Sequence, residues 1–305
     1  MSSRTKALIA IIVASMLWAT AGTAKILLKS FDPFTAAFFR FFVASVVILP
    51  FFLRERRGQK HSLLPLVPLA LLSTGNITFF YWGLRTTTAN ATAIIYTIVP
   101  LIVALVAPKL IKEQVTGKKR VGIILGLVGA LFIAILPAVE RGQHISGDLG
   151  GNLLVLVAVL CWSGYTIGSR HMLSSQRTTP IAMTAVSIFV STAIFALFSI
   201  SRWQPTYVAS LTVANIVIIA QLGISVTVAT YLLLQWAIKH SSATTASLGH
   251  YLGPVFAVVF NIFFLGERLT TGFVLGSIVV LAGVALATGG PLIREIKHWK
   301  ILCEA

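Results

Sequence analysis

The sequence predicts an all-α membrane protein: ten transmembrane helices arranged as two inverted five-helix repeats around a central cavity. Three observations carry this expectation. Long apolar runs recur along the chain, the second half echoes the first at a fixed offset, and the basic residues crowd into alternate loops.

The apolar runs come first. Of 305 residues, 57% are hydrophobic and only 10% are charged, with a mean hydropathy of +0.92. A soluble domain of that balance would lack the charge to keep its surface solvated. Ten runs stand out: 7–28, 33–53, 63–84, 88–108, 121–139, 149–169, 180–201, 211–238, 243–265 and 272–290. Each reaches or approaches the roughly 20 residues that a helix rising ~1.5 Å per residue needs to cross a bilayer. Lys25 and Arg40 are the only Asp, Glu, Lys or Arg residues inside them. Backbone polar groups in lipid must be bonded within their own segment, which favours helices. The alternating pattern of a transmembrane barrel is absent.

The echo is the second observation. A shift of 154 places "TTANATAIIYTIVPLIVALVAPKLIKEQVTGKKRVG" over "SSATTASLGHYLGPVFAVVFNIFFLGERLTTGFVLG" without gaps. Trp82 falls on Trp236, Pro100 on Pro254, Glu113 on Glu267, Thr116 on Thr270, Gly122 on Gly276 and Gly129 on Gly283. Upstream, "ASMLWATAG" resembles "AVLCWSGYT" at an offset of 144, matching Trp18 to Trp162. The chain divides into two five-helix units, approximately 1–145 and 146–305. Five crossings are odd, so the second unit enters from the opposite side and the repeats are inverted. That plan recurs among transporters, whose near-equivalent halves open a central site to either side in turn.

Charge placement is the third. With the N-terminus in the cytoplasm, the cytoplasmic segments hold 17 Lys and Arg and the outer loops five; Lys25 and Arg40 complete the 24. This division obeys the positive-inside rule and places both termini in the cytoplasm, in the plasma (inner) membrane of a cell. The net charge of +16 therefore reflects topology and contact with anionic lipid headgroups, and no nucleic-acid partner is expected. Arg4 and Lys6 before an apolar core imitate a signal peptide, but cleavage would remove a helix that has a partner in the second half. Cys161, within a span, and Cys303, in the tail, lie too far apart in depth to pair. No metal-ligand spacing and no "GxxxxGK[ST]" phosphate loop occurs, so no cofactor is expected and ATP-driven transport would need another subunit.

The segment "LWATAGTAK" ending at Lys25, "FFRFF" around Arg40, the prolines of the fourth and ninth spans and the Glu-x-x-Thr turns together resemble the EamA family of the drug/metabolite transporter superfamily. The resemblance covers nearly the whole chain. It implies a ten-helix bundle whose cavity is lined mainly by the first, third and fourth helices of each repeat. Members of the family export or exchange amino acids, related metabolites and drugs. One departure is visible: the second repeat has Ser169 and, approximately, Ser187 where the first has Lys25 and Arg40.

Several residues stand out as candidates for the work. A charge near the centre of a span costs about 2.5 kcal/mol or more, so Arg40 needs an explanation. It is either an anchor for a carboxylate or phosphate, for which guanidinium offers a fixed fork of donors, or an internal strut. Lys25 lies about a turn from the outer end and either snorkels to water or adds positive potential to the path. With no Asp or Glu in any span, an anionic, zwitterionic or neutral solute suits the path better than a cation. His250, opposite Tyr96 in the alignment, is the one embedded group with an ordinary pKa near neutral; it is either a proton-coupling site or a hydrogen-bonded cavity histidine.

Pro100 and Pro254 each free a carbonyl one turn back, giving matched hinges or merely tolerated kinks. Thr227, Tyr231 and Gln235 recur every four residues and form one polar stripe on the eighth span. Asn90 with Thr97, and Thr244 with Tyr251, give matching faces on the fourth and ninth; Trp18, Asn76, Trp162 and Tyr165 complete a candidate ring. Glu113 and Thr116, and likewise Glu267 and Thr270, occupy short turns in which the threonine caps the next helix and the glutamate caps or gates. Gly122 with Gly126, and Gly272 with Gly276, in the last helix of each repeat, predict close helix packing within the monomer or, alternatively, a homodimer.

These features point to a secondary transporter of a small organic metabolite and not to an enzyme, whose chemistry would need convergent acids, bases or metal ligands. A membrane-embedded enzyme and a non-transporting receptor or scaffold are the alternatives.

Overall fold

The computed structural model describes residues 2–57, 62–87, 89–140, 148–265 and 271–288, and all regular structure among them is helical. In chain order the helices of five residues or more are α1 (Ser3–Leu27), α2 (Pro33–Arg56), α3 (Leu64–Thr86), α4 (Ala89–Tyr96), α5 (Val99–Ile111), α6 (Gly117–Glu140), α7 (Leu149–Ser174), α8 (Pro180–Ile200), α9 (Val213–His240), α10 (Ala243–Ser247), α11 (Gly249–Leu265) and α12 (Thr271–Thr288). Six of them, α1, α2, α3, α7, α8 and α9, are long and apolar enough to cross a membrane.

Local chemistry sets the helix ends. Asp32, Asp148, Thr179 and Thr212 each stand just before a helix and accept a backbone N–H of its first turn, from Phe34, Gly151, Ala182 and Asn215 respectively. Such caps satisfy donors that no intrahelical carbonyl can reach. The fourth and ninth apolar runs, expected as single spans, are each broken. In the fourth, Thr97 and Ile98 form a turn between α4 and α5, and Pro100 enters the first turn of α5, where its missing N–H costs nothing. In the ninth, the break falls at Leu248, and the following glycine lets α11 press on α1. A Cβ on Gly249 would lie 2.7 Å from the Ser15 hydroxyl oxygen.

The packing is inside-out relative to a soluble protein. Leu197 is 68% exposed and Ile200 75%, while Arg40, Asn76, Thr227 and Gln235 are buried. The most extensive pairings are α6 with α12, α3 with α7, α2 with α8 and α1 with α9, each joining a helix from before residue 145 to one after it. Glycines bring α6 and α12 together backbone to backbone. A Cβ on Gly122 would sit 2.5 Å from the Gly283 carbonyl oxygen, and one on Gly129 would sit 2.7 Å from that of Gly276. The close packing expected of the α6 glycines is thus met within the chain.

Candidate functional site

A cavity of about 360 Å³ lies in the middle of the bundle and reaches toward the end at which α1 finishes and α4 begins. Its walls come from α1, α3, α4, α7, α9 and α11, together with one side chain of α2, Arg40. Two local irregularities shape it. α1 tightens into a 3₁₀ turn over Ala19–Thr23, and Ala19, Ala21 and Gly22 face the space. α9 widens into a π-helical stretch over Leu222–Ala229. Gln221, just before that stretch, clamps the α1 turn: its Nε2 donates to the Thr20 hydroxyl at 2.6 Å, and its Oε1 accepts from the Thr23 hydroxyl at 3.2 Å.

Arg40 is 3% exposed. Its Nε donates to Thr227 Oγ1 at 2.7 Å and its Nη2 to the Val226 carbonyl at 3.4 Å. The Thr227 hydroxyl in turn donates to the Leu222 carbonyl five residues back, within the widened stretch of the helix. Gly223 makes room for the pairing of α2 with α9, since a Cβ there would lie 2.9 Å from the Arg40 carbonyl oxygen. Arg40 is therefore both strut and cavity wall. Among the described residues no carboxylate pairs with it and its Nη1 has no hydrogen-bond partner.

The rest of the wall is aromatic. Trp18 stacks on His250 with ring centroids 5.2 Å apart and meets Trp162 edge-on at 5.5 Å. Trp162 Nε1 donates to His250 Nε2 at 2.9 Å. An indole N–H can only donate, so this histidine nitrogen is the acceptor and the neutral ring carries its proton on Nδ1. Proton uptake at Nε2 would have to break the bond to Trp162. Asn76 Nδ2 donates to the Tyr96 hydroxyl at 2.6 Å and to the Ala158 carbonyl at 2.9 Å, tying α3 to α4 and α7. Pro254 also lines the cavity and, lacking an N–H, leaves the carbonyl of His250 without its helical donor.

Below this space, toward the end at which α7 and α9 finish, lies a second polar region, whose side chains Tyr165, Ser169, Ser187 and Gln235 are buried. Trp162, Tyr165 and Tyr231 form a partition, their ring centroids 5.3, 5.6 and 6.2 Å apart pairwise. Tyr231 faces the cavity, and its hydroxyl shares a 3.1 Å bond with Ser73. Behind it, Gln235 Nε2 donates to the Tyr165 hydroxyl at 2.8 Å and to Ser169 Oγ at 3.3 Å. Ser187 gives its hydrogen to the Met183 carbonyl, so the 3.0 Å contact between Tyr165 and Ser187 has the phenol as donor.

Of the residues singled out in the sequence, Trp18, Arg40, Asn76, Tyr96, Trp162, Tyr231, His250 and Pro254 meet at the cavity. Tyr165 and Gln235 lie in the layer beneath it. Tyr251 faces away from His250 and packs on Gly126 of α6, where a Cβ would meet its ring at 2.5 Å. Pro100 is buried between helices and does not face the cavity. Lys25 is exposed, and its Nζ donates to the Thr87 carbonyl at 3.1 Å, as a snorkelling side chain does. The side chain of Asn90, together with Glu267 and Thr270, lies outside the described residues. Thr92, Phe80 and Gly249 line the cavity without having been expected. Phe80 and Thr92 lie one turn from Asn76 and Tyr96 and share their helix faces, whereas no spacing pointed to Gly249.

The sequence offers Glu113 as a cap or a gate, and it caps a helix far along the chain from its own turn. Its carboxylate accepts the Ala243 and Thr244 amides at 2.9 and 3.1 Å, capping α10 from across the bundle. Lys119 stands 3.6 Å from the same carboxylate and donates to Ser242 Oγ at 2.9 Å. Burial alone would raise the Glu113 carboxyl, but hydrogen bonding at Thr244 and the Lys119 ammonium hold it below the ordinary carboxylate range. Thr116 caps its own helix as expected, accepting the Lys119 amide at 3.3 Å. Arg170 completes the closure of this end, its Nη1 donating to the Ile238 and Lys239 carbonyls at 2.7 and 3.0 Å.

A model of the EamA-like transporter family matches residues 5–135 and 149–289. An uncharacterized transporter of Archaeoglobus fulgidus is 28% identical over 94% of this chain and 98% of its own length. An uncharacterized transporter of Bacillus subtilis, YyaM, is 26% identical over 89% of each chain. A WAT1-related chloroplastic protein of Arabidopsis thaliana is 24% identical over 88% of this chain and 66% of its own. A crystal structure titled only as that of a protein superposes with a TM-score of 0.74 at 19% identity, covering 93% of this chain and 98% of the other, a likeness of fold.

Proposed function

The chain belongs to the EamA-like transporter family as a multi-pass membrane protein, and from that premise we propose that it is a secondary, non-ATP-driven exporter or exchanger of a small zwitterionic or anionic metabolite. The observation that carries the substrate class is Arg40. A guanidinium buried in the bundle, facing a cavity of about 360 Å³ with no carboxylate partner among the described residues, lowers its free energy by taking a carboxylate from the solute. The aromatic wall suits the solute's apolar part.

Alternating access is the mechanism, between two inverted five-helix repeats, residues 1–145 and 146–305, making ten spans with both termini in the cytoplasm. Support comes from the pairing of helices across the two halves. It comes also from the α6–α12 contact, in which Gly122 meets Gly283 and Gly129 meets Gly276. The offset of 154 maps each of these pairs onto the other. In this frame the cavity lies on the outer side and the Glu113, Lys119 and Arg170 contacts close the cytoplasmic side. The protein sits in the plasma (inner) membrane.

The test is a thermal-shift screen of metabolites followed by counterflow in proteoliposomes, repeated with Arg40→Ala. Carboxylate-bearing solutes should stabilise and exchange across the unaltered protein and fail with the variant. Product formation without flux would favour an enzyme instead, and neither result a scaffold.

A further inference from the structure

A solute leaving the cavity toward the cytoplasm meets the layer of Tyr165, Ser169, Ser187 and Gln235. We propose that this layer is a second solute station, shut in the structure, that takes the ammonium end of a zwitterion once its carboxylate has left Arg40 in the cavity above. This rests on the transport function proposed above.

Four observations lead here. Gln235 is fully buried, with one end of its amide bonded to Tyr165 and Ser169 and its Oε1 without a partner. Turning the amide over only exchanges which end is orphaned, so a buried polar atom is left unmatched either way. Thr184, one turn before Ser187 on α8, also has a buried hydroxyl without a partner. A closed layer that leaves such groups unmatched is favoured to open to something that matches them.

The stripe along α9 is the second observation. Thr227 holds Arg40, Tyr231 faces the cavity and Gln235 lies in the layer, each step about 6 Å further along the helix. One continuous polar track therefore runs from the anchor, through the floor, to the layer. The third is position: Ser169 and, approximately, Ser187 occupy the places that hold Lys25 and Arg40 in the first half. The fourth is chemistry. The layer presents hydroxyl oxygens, the unmatched Gln235 Oε1 and the rings of Tyr165 and Tyr231, and among the described residues no cation bonds to it. An ammonium offers the donors and the positive charge that the free oxygen and the ring faces accept.

The experiment uses the full chain in inside-out vesicles, with Cys161→Ser and Cys303→Ser as background. Gln235→Cys and Ser187→Cys are exposed from the cytoplasmic face to membrane-impermeant cationic and anionic methanethiosulfonates, beside Phe195→Cys, an equally buried core position. The expected result is modification of both positions at least about tenfold faster than Phe195→Cys, through transient opening of the layer. The cationic reagent should lead the anionic one by about threefold or more. Rates no greater than at Phe195→Cys, or a faster anionic reagent, would overturn the station. Counterflow of the unaltered chain against an amino-acid panel separates the two proposals: flux with unreactive thiols removes the station alone, whereas absence of all flux removes transport.

Discussion

The cavity and the layer beneath it are built on the same plan and differ in charge. Each is walled by an aromatic group and by the α9 stripe, and each takes a residue from the second helix of one half, Arg40 above and Ser187 below. Above, a guanidinium with no carboxylate partner among the described residues stands beside open space. Below, hydroxyls and an amide close on one another until only single atoms are left over. A charge without a counter-ion holds space open for a ligand or water, because its desolvation is costly. Neutral hydroxyls can satisfy each other and collapse. In the transport cycle proposed above, this asymmetry lets one side rest open and the other shut.

The sharpest way to break this contrast is to put the charge in the lower layer. Ser187→Arg, at a position 1% exposed, should cost about 2.5 to 3.5 kcal/mol as an unpaired charge near a helix centre, read as lost membrane insertion or a large fall in Tm. Insertion and Tm equal to those of the unaltered protein would mean that the layer is already wet. Next is Arg40→Ala, which removes a charge-assisted bond worth about 1.5 to 3 kcal/mol. Counterflow of carboxylate-bearing solutes should fall about 10- to 100-fold by the same energy, while Arg40→Lys retains part of it. Unchanged flux would reduce Arg40 to a strut.

Tyr231→Phe tests the partition itself. It deletes the hydroxyl bonded to Ser73, costs about 1 kcal/mol, and should speed thiol modification at Gln235→Cys; a slower reaction would show that the floor is held elsewhere. The smallest effect is at the closed end. Glu113→Gln removes the charge on the start of α10, a loss of about 0.3 to 1 kcal/mol. Because the folded Glu113 carboxyl lies below its ordinary value, its contribution is complete above about pH 5 and lost as pH falls through the folded pKa. The gap in Tm between the two proteins should be open at pH 7 and narrow only as pH falls below the ordinary carboxylate range, through the lowered folded pKa; a gap that persists once the carboxyl is protonated would leave the charge without a role.

Much of this was legible in the chain. The α9 stripe was read from a four-residue spacing, and Thr227, Tyr231 and Gln235 are all buried as that spacing required. Arg40 was marked by the cost of a charge in an apolar run. The division of labour along the stripe was not legible, since periodicity reports which face a residue shares and not the depth at which neighbouring rings meet. Arg170 illustrates the same limit. Alignment set Ser169 opposite Lys25, yet Arg170, one residue on, caps the end of α9 much as Lys25 caps the end of α3. A long flexible side chain reaches the same carbonyls from a neighbouring position. Glu113 is legible as a cap or a gate, but which helix it caps is not, since its partners lie 130 and 131 residues away, where no local rule extends.

The sequence by itself determined the membrane class, the helical content, and the scarcity of charge that makes Arg40 conspicuous, because these depend on composition and on spacings within a few turns. Only the tertiary structure decided that Trp162 bonds His250, that α9 widens beside Arg40, and that Gln235 is sealed while Tyr231 faces open space. Those outcomes depend on how side chains from helices far apart in sequence share one interior. Close packing there settles which polar groups satisfy each other and which are left facing a gap.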